Sequence, residues 1–124
     1  MCMDQPHIQD LNALDWKAHP FVSSVMTKIF ENQSTHPLAD VLVARVEPGG
    51  DIPWHVHETA SETAYVLAGE GILKYAEGDK NNNPVEANLK TGVALTIPGG
   101  WWHTVINTGT TPLELFAFHT PPTI

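Results

Sequence analysis

From Phe21 onward, apolar and polar residues alternate over short stretches. Val25 to Phe30 and Val41 to Glu47 are rich in β-branched and aromatic side chains, which favour extended backbone. Trp54 to Glu58 alternates around two histidines. Glu62 to Leu67, Ile72 to Tyr75, Val85 to Leu89, Val93 to Ile97, His103 to Asn107 and Leu113 to Thr120 read as further strands. Between them fall Pro48-Gly49-Gly50-Asp51, Gly69-Glu70-Gly71, the polar run Gly78 to Pro84, Gly92, Pro98-Gly99-Gly100, Gly109 and Pro112. These residue types turn the chain. Turn signals about every 8 to 12 residues, with no long helical period, predict an all-β sandwich or barrel.

Residues 1–20 follow a different pattern. Ile8, Leu11, Leu14 and Trp16 are spaced for a short helical turn or an extended cover, and Pro20 stops any helix. The chain therefore divides into an N-terminal arm, 1–20, and one barrel domain, 21–124, with no internal repeat or linker. Val41 to Val46, Val93 to Ile97 and Leu113 to Phe118 carry apolar residues on both faces. A half-wet sheet would alternate more cleanly, so the second apolar face is expected to need cover. The arm is a candidate cover, packed across a sheet edge or against a neighbouring subunit, and a homodimer joined sheet to sheet is expected.

Composition narrows the function classes. Six basic residues against 14 acidic ones give a net charge of −8, and no basic run exists. Nucleic acid and anionic membrane surfaces are therefore not expected as partners. No apolar stretch reaches the ~18 to 20 residues of a membrane span. The first 20 residues contain Asp4, Asp10 and Asp15 and no apolar run, so a secretory signal is not expected. Cys2 is the one cysteine and has no partner for an internal disulfide. A cytoplasmic address is the expectation.

Two segments carry the candidate chemistry. In the first, Gly49, His55, His57, Glu62 and Gly69 follow one another. In the second, Gly92, Pro98, Gly100, His103 and Asn107 do so. At about one chance in twenty per fixed position, either pattern arises in roughly one random chain in 10^4 to 10^5. Side chains alternate across a strand, so His55 and His57 share a face, about 7 Å apart, while Trp54 and Val56 point the other way. Three imidazoles and one carboxylate suit one divalent transition metal (Fe, Mn, Ni, Co, Cu or Zn) rather than Ca or Mg, which prefer oxygen. Four ionisable groups turned into a barrel are costly unless paired or bound to metal.

Both segments resemble the paired motifs of the cupin superfamily, with every position of the pattern present between Gly49 and Asn107. The resemblance implies a jelly-roll barrel (a double-stranded β-helix), one metal held by His55, His57, Glu62 and His103, and commonly a dimer. It also implies a metal-dependent enzyme acting on a small organic molecule, of dioxygenase, decarboxylase, isomerase or lyase type. In some cupin enzymes the residue at the position of Glu62 leaves the metal and shuttles a proton. A non-enzymatic metal-containing cupin that binds a small ligand is the alternative.

Parity names the candidate pocket residues. Trp101, Val105 and Asn107 share the His103 face, and His119 lies in register with Leu113, Leu115 and Ala117. His7, His19 and His36, in arm or turn segments, read as ordinary surface or core residues with no part in the site. Glu58 has the wrong parity for the site, and Lys28 and Lys74 read as solvated.

Overall fold

The computed structural model describes residues 5–124. Cys2, on which the compartment expectation rests, lies outside them. A 3-10 turn at Leu11–Ala13 is capped by Asp10, whose side chain accepts the Asn12 N–H at 3.0 Å. Ten strands follow: β1 Lys17–Ala18, β2 Met26–Glu31, β3 Asp40–Val46, β4 Asp51–His55, β5 Ser61–Ala68, β6 Glu70–Glu77, β7 Val85–Lys90, β8 Ala94–Ile97, β9 Trp101–Asn107 and β10 Leu113–Thr120. They form a six-stranded sheet, β1-β2-β3-β10-β5-β8, and a four-stranded sheet, β4-β9-β6-β7. Every pairing is antiparallel.

The sheets face each other across one core. Leu113, Leu115, Ala117 and His119 of β10 are all buried, and the residues between them are more exposed. That is the period-two pattern of a strand with one face inward. Val46, Val66, Leu73, Val105 and Leu113 form the centre, and Val25, Leu42, Ala44 and Ile124 form a smaller cluster beside it. Gly71 permits the close approach of β6 to β9, because a Cβ there would lie 2.3 Å from the Ile106 carbonyl oxygen.

The arm joins its own sheet. Lys17 and Ala18 pair with Thr27 and Met26 of β2. Trp16 lies against the outer face, with Lys28 Nζ 4.7 Å and the Arg45 guanidinium 5.4 Å from the ring centroid, as cation–π pairs. Ile8 is exposed.

The strand expected over Trp54 to Glu58 ends earlier, at His55. The register of β4 on β9 shifts between Ile52 and His55. Pro53 is the physical reason: it has no N–H for the ladder and is tolerated only on edge strands such as β4. His57 therefore sits on the loop just past the strand. Among the described residues, no helix is long and apolar enough to cross a membrane.

Candidate metal centre

Four side chains arrive from three directions. His55 ends β4, His57 follows on the loop, Glu62 is near the start of β5, and His103 is on β9, paired with His55. Their candidate ligand atoms all lie within 4.8 Å of one another. The His55 and His103 ring centroids are 4.0 Å apart, and those of His55 and His57 are 5.0 Å apart.

Backbone carbonyls set the imidazoles. His55 Nδ1–H donates to the Pro53 carbonyl at 2.9 Å, and His103 Nδ1–H donates to the Trp101 carbonyl at 3.0 Å. Each bond fixes the tautomer that frees Nε2 as an acceptor. The loop carrying His57 is held by Gly100 N–H, which donates to the His57 carbonyl at 2.8 Å. Gly99 allows that contact: a Cβ there would lie 2.9 Å from the Glu58 carbonyl oxygen and the Thr59 carbonyl carbon.

Glu62 is the hub. Its Oε1 lies 3.3 Å from His57 Nε2 and 3.4 Å from His103 Nε2, and it accepts a hydrogen bond from His119 Nε2–H at 3.0 Å. Burial alone would raise its pKa, but the imidazoles of His103, His119 and His57 hold the carboxyl well below its usual range. Burial, followed by the nearby His103, pushes His55 down to about 4. His119 is raised: burial opposes this, but the bond to Glu62 and the charges of Glu62 and Asp40 prevail.

The donors fit a metal. His103 is almost fully buried, and its Nε2 has no hydrogen-bond partner although it faces Glu62. An orphaned buried acceptor is costly unless something ligates it. Three nitrogens and one oxygen, clustered this closely, match the donor set of a transition ion bound at about 2.0 to 2.2 Å.

The remaining sequence-derived candidates divide. His119 enters the cluster, on the strand next to Glu62 and directly opposite it. Trp101 points inward but lines a neighbouring apolar cavity of about 400 Å³ with Leu73, Tyr75, Leu95 and Ile97. Val105 is part of the central core rather than of a pocket. Asn107 serves a turn: its amide donates to the Val46 and Thr111 carbonyls, both at 2.9 Å, and its Oδ1 accepts the Gly109 N–H. Those bonds occupy the groups that a ligand would need.

A second cavity, of about 270 Å³, has His55 and His57 in its wall. Val56 lines it too, against the expectation that it points away, because the chain has left the regular strand at His55. His19, read from sequence as having no part in the site, also lines it. Burial lowers the His19 pKa, and nearby His119 lowers it further. The sequence reading also missed Asp40, which is fully buried at the start of β3. Its Oδ2 lies 3.3 Å from His119 Nδ1 and accepts the Thr123 N–H, the Thr123 hydroxyl and the Ile124 N–H. A signal for Asp40 existed: it shares the parity of buried Leu42, Ala44 and Val46. His19 carried no such signal.

Two sheets enclosing an inward cluster of three imidazoles and a carboxylate define a small barrel protein with a metal-type donor set in its lumen. The family described as "Cupin domain" matches residues 42–119, and the chain belongs to that family. The uncharacterized protein YrkC of Bacillus subtilis is 30% identical over 122 residues, covering 92% of this chain and 65% of YrkC. The chain thus spans just under two thirds of that relative's length. The oxalate-binding protein of Thermotoga maritima is 28% identical over 93 residues, 74% of this chain and 71% of that protein. The solved structure of TT1209 from Thermus thermophilus superposes with a TM-score of 0.72 at 25% identity, covering 94% of this chain and 98% of that one.

Proposed function

We propose that this cupin holds one divalent transition metal through His55, His57, Glu62 and His103 and acts on a small organic molecule as a metal-dependent enzyme. The observation that carries the reading is the convergence of four donor atoms within 4.8 Å, two of them from residues that form the wall of a cavity. When bound, the ion would supply Lewis acidity or a binding centre for O₂ and substrate. Fe, Mn, Ni, Co, Cu and Zn all suit the donor set. The reaction classes that fit are dioxygenation, decarboxylation, isomerisation and lyase chemistry.

The chain's own residues do the rest. The apolar wall around His55 and His57 sheds water and orients the substrate. Glu62, kept as a carboxylate, can take a proton from substrate, and His119 Nε2 at 3.0 Å can exchange one with it. The name of the oxalate-binding relative favours the second reading, a ligand-binding cupin without turnover. The outer face of the six-stranded sheet exposes Tyr65, Leu67 and Phe118 at 46%, 43% and 37%, which supports a homodimer through that face.

Single replacements of His55, His57 and His103 by Ala test the metal reading. Metal content by mass spectrometry should fall sharply in each, with the far-UV spectrum of a folded barrel retained. Full occupancy in all three would refute the assignment. Electron paramagnetic resonance with added small acids separates the two functions: spectral change with product supports catalysis, and change without product supports binding.

A further inference from the structure

We infer that the ligand of this site is a monoanion with an apolar body, and that a compact dianion such as oxalate is disfavoured. The inference rests on the metal reading above and deepens it.

Charge is the first ground. A divalent ion bound by Glu62 and three neutral imidazoles leaves one positive charge in the lumen. A monoanion cancels it. A dianion leaves one negative charge uncompensated in a low-dielectric cavity, which is costly unless a cation is near. His119 does not supply that cation freely, because Asp40 Oδ2 lies 3.3 Å from its other nitrogen.

None of the six basic residues lines either cavity. Lys28 and Arg45 flank Trp16 on the outer face. Lys74 Nζ lies 3.5 Å from Glu86, and Lys80 borders an outer groove with Trp54. Lys17 and Lys90 are exposed on β1 and β7. The net charge of −8 adds a long-range bias against a dianion.

The wall supplies the second ground. Phe21, Val22, Val25, Ile52, Val56 and Ile124 are apolar. The Thr123 hydroxyl, also on the wall, already donates to Asp40. His19 remains as the donor: its Nδ1 accepts the Phe21 N–H at 3.0 Å, so neutral His19 carries its proton on Nε2. His19 is assigned as the residue that reads an oxygen on the ligand's outer side. A volume of about 270 Å³ falls just under the usual ~300 to 1,000 Å³ of ligand pockets, which suits one ring.

Mandelate and oxalate make the test, since both chelate through two oxygens but differ in charge and apolar body. Each is titrated by calorimetry into metal-containing protein, with metal content read before and after. Mandelate should bind one per chain, at least tenfold tighter than oxalate. His19→Phe should weaken mandelate with metal content unchanged, and Val22→Arg should shift the preference toward oxalate. Oxalate binding as tightly as mandelate at full metal content would overturn this inference alone. Failure to take up any metal would overturn the metal reading, and this inference with it.

Discussion

Asp40 concentrates several tasks in one carboxylate. It is fully buried, ties down Thr123 and Ile124, and faces His119. Removing one member of a buried charged network commonly costs about 3 to 5 kcal/mol. Asp40→Ala should lose stability of that order in urea denaturation, and Asp40→Asn less. Acid acts through other residues. His55 is held at about 4, whereas an unfolded-chain histidine titrates near 6.5. The unfolded chain therefore takes up this proton first, and stability falls as pH drops from about 6.5 toward 4. Glu62, held low, contributes stability that is full above its usual 4.5 and is lost as pH falls further. His119 acts oppositely: its contribution is full below 6.5 and is lost as pH rises through its raised folded value. Metal-free protein should thus melt at a lower temperature at pH 4.5 than at pH 6.5. An equal or higher melting temperature would contradict the His55 environment. Parity arguments reached His119 and could have reached Asp40, because both continue the inward pattern of their strands. His19 was out of reach: an arm histidine becomes a cavity residue only once the chain is folded back.

At the scale of elements, nine of the ten strands were legible to within a few residues, because turn residues bracket short β-branched runs. The two-residue β1 was too short to carry any pattern. The end of β4 was misread because Pro53 sits inside an otherwise alternating run, and its missing N–H shows its effect only against a neighbouring strand. The consequence is local but chemical. His57 depends on the turn at residues 98–100 for its position, through the Gly100 bond and the close approach at Gly99. Gly99→Ala must push that turn off Glu58 and Thr59, at an overpacking cost of about 1 to 3 kcal/mol. The variant should lose metal affinity although every proposed ligand is intact. Unchanged affinity in a metal titration would show that His57 is positioned without the turn.

The whole chain shows what alternation alone could indicate and where it stopped. The doubly apolar strands marked a sheet with two greasy faces, and the exposed Tyr65, Leu67 and Phe118 lie on the outer one. Among the described residues the arm covers this sheet at Trp16 and at His7, which stacks on Phe30, and leaves Tyr65, Leu67 and Phe118 exposed, so a second copy is the expected cover for the rest. Light scattering at micromolar concentration should give twice the chain mass, and Phe118→Glu should reduce it to one. A wild-type monomer would leave that face simply wet.

The four proposed ligand residues do not belong to one sheet. His55 and His103 come from the four-stranded sheet, and Glu62 comes from the six-stranded one. An ion coordinated by all of them would rivet the two layers together at one end of the sandwich, much as a disulfide would, but reversibly. The opposite end needs no rivet, since Val46, Val66 and Leu113 of the six-stranded sheet pack in one core with Leu73 and Val105 of the other. Chelating the ion should therefore loosen the protein unevenly. Amide exchange would quicken in β4 and the loop to Ala60, while the amides around Leu113 kept their protection.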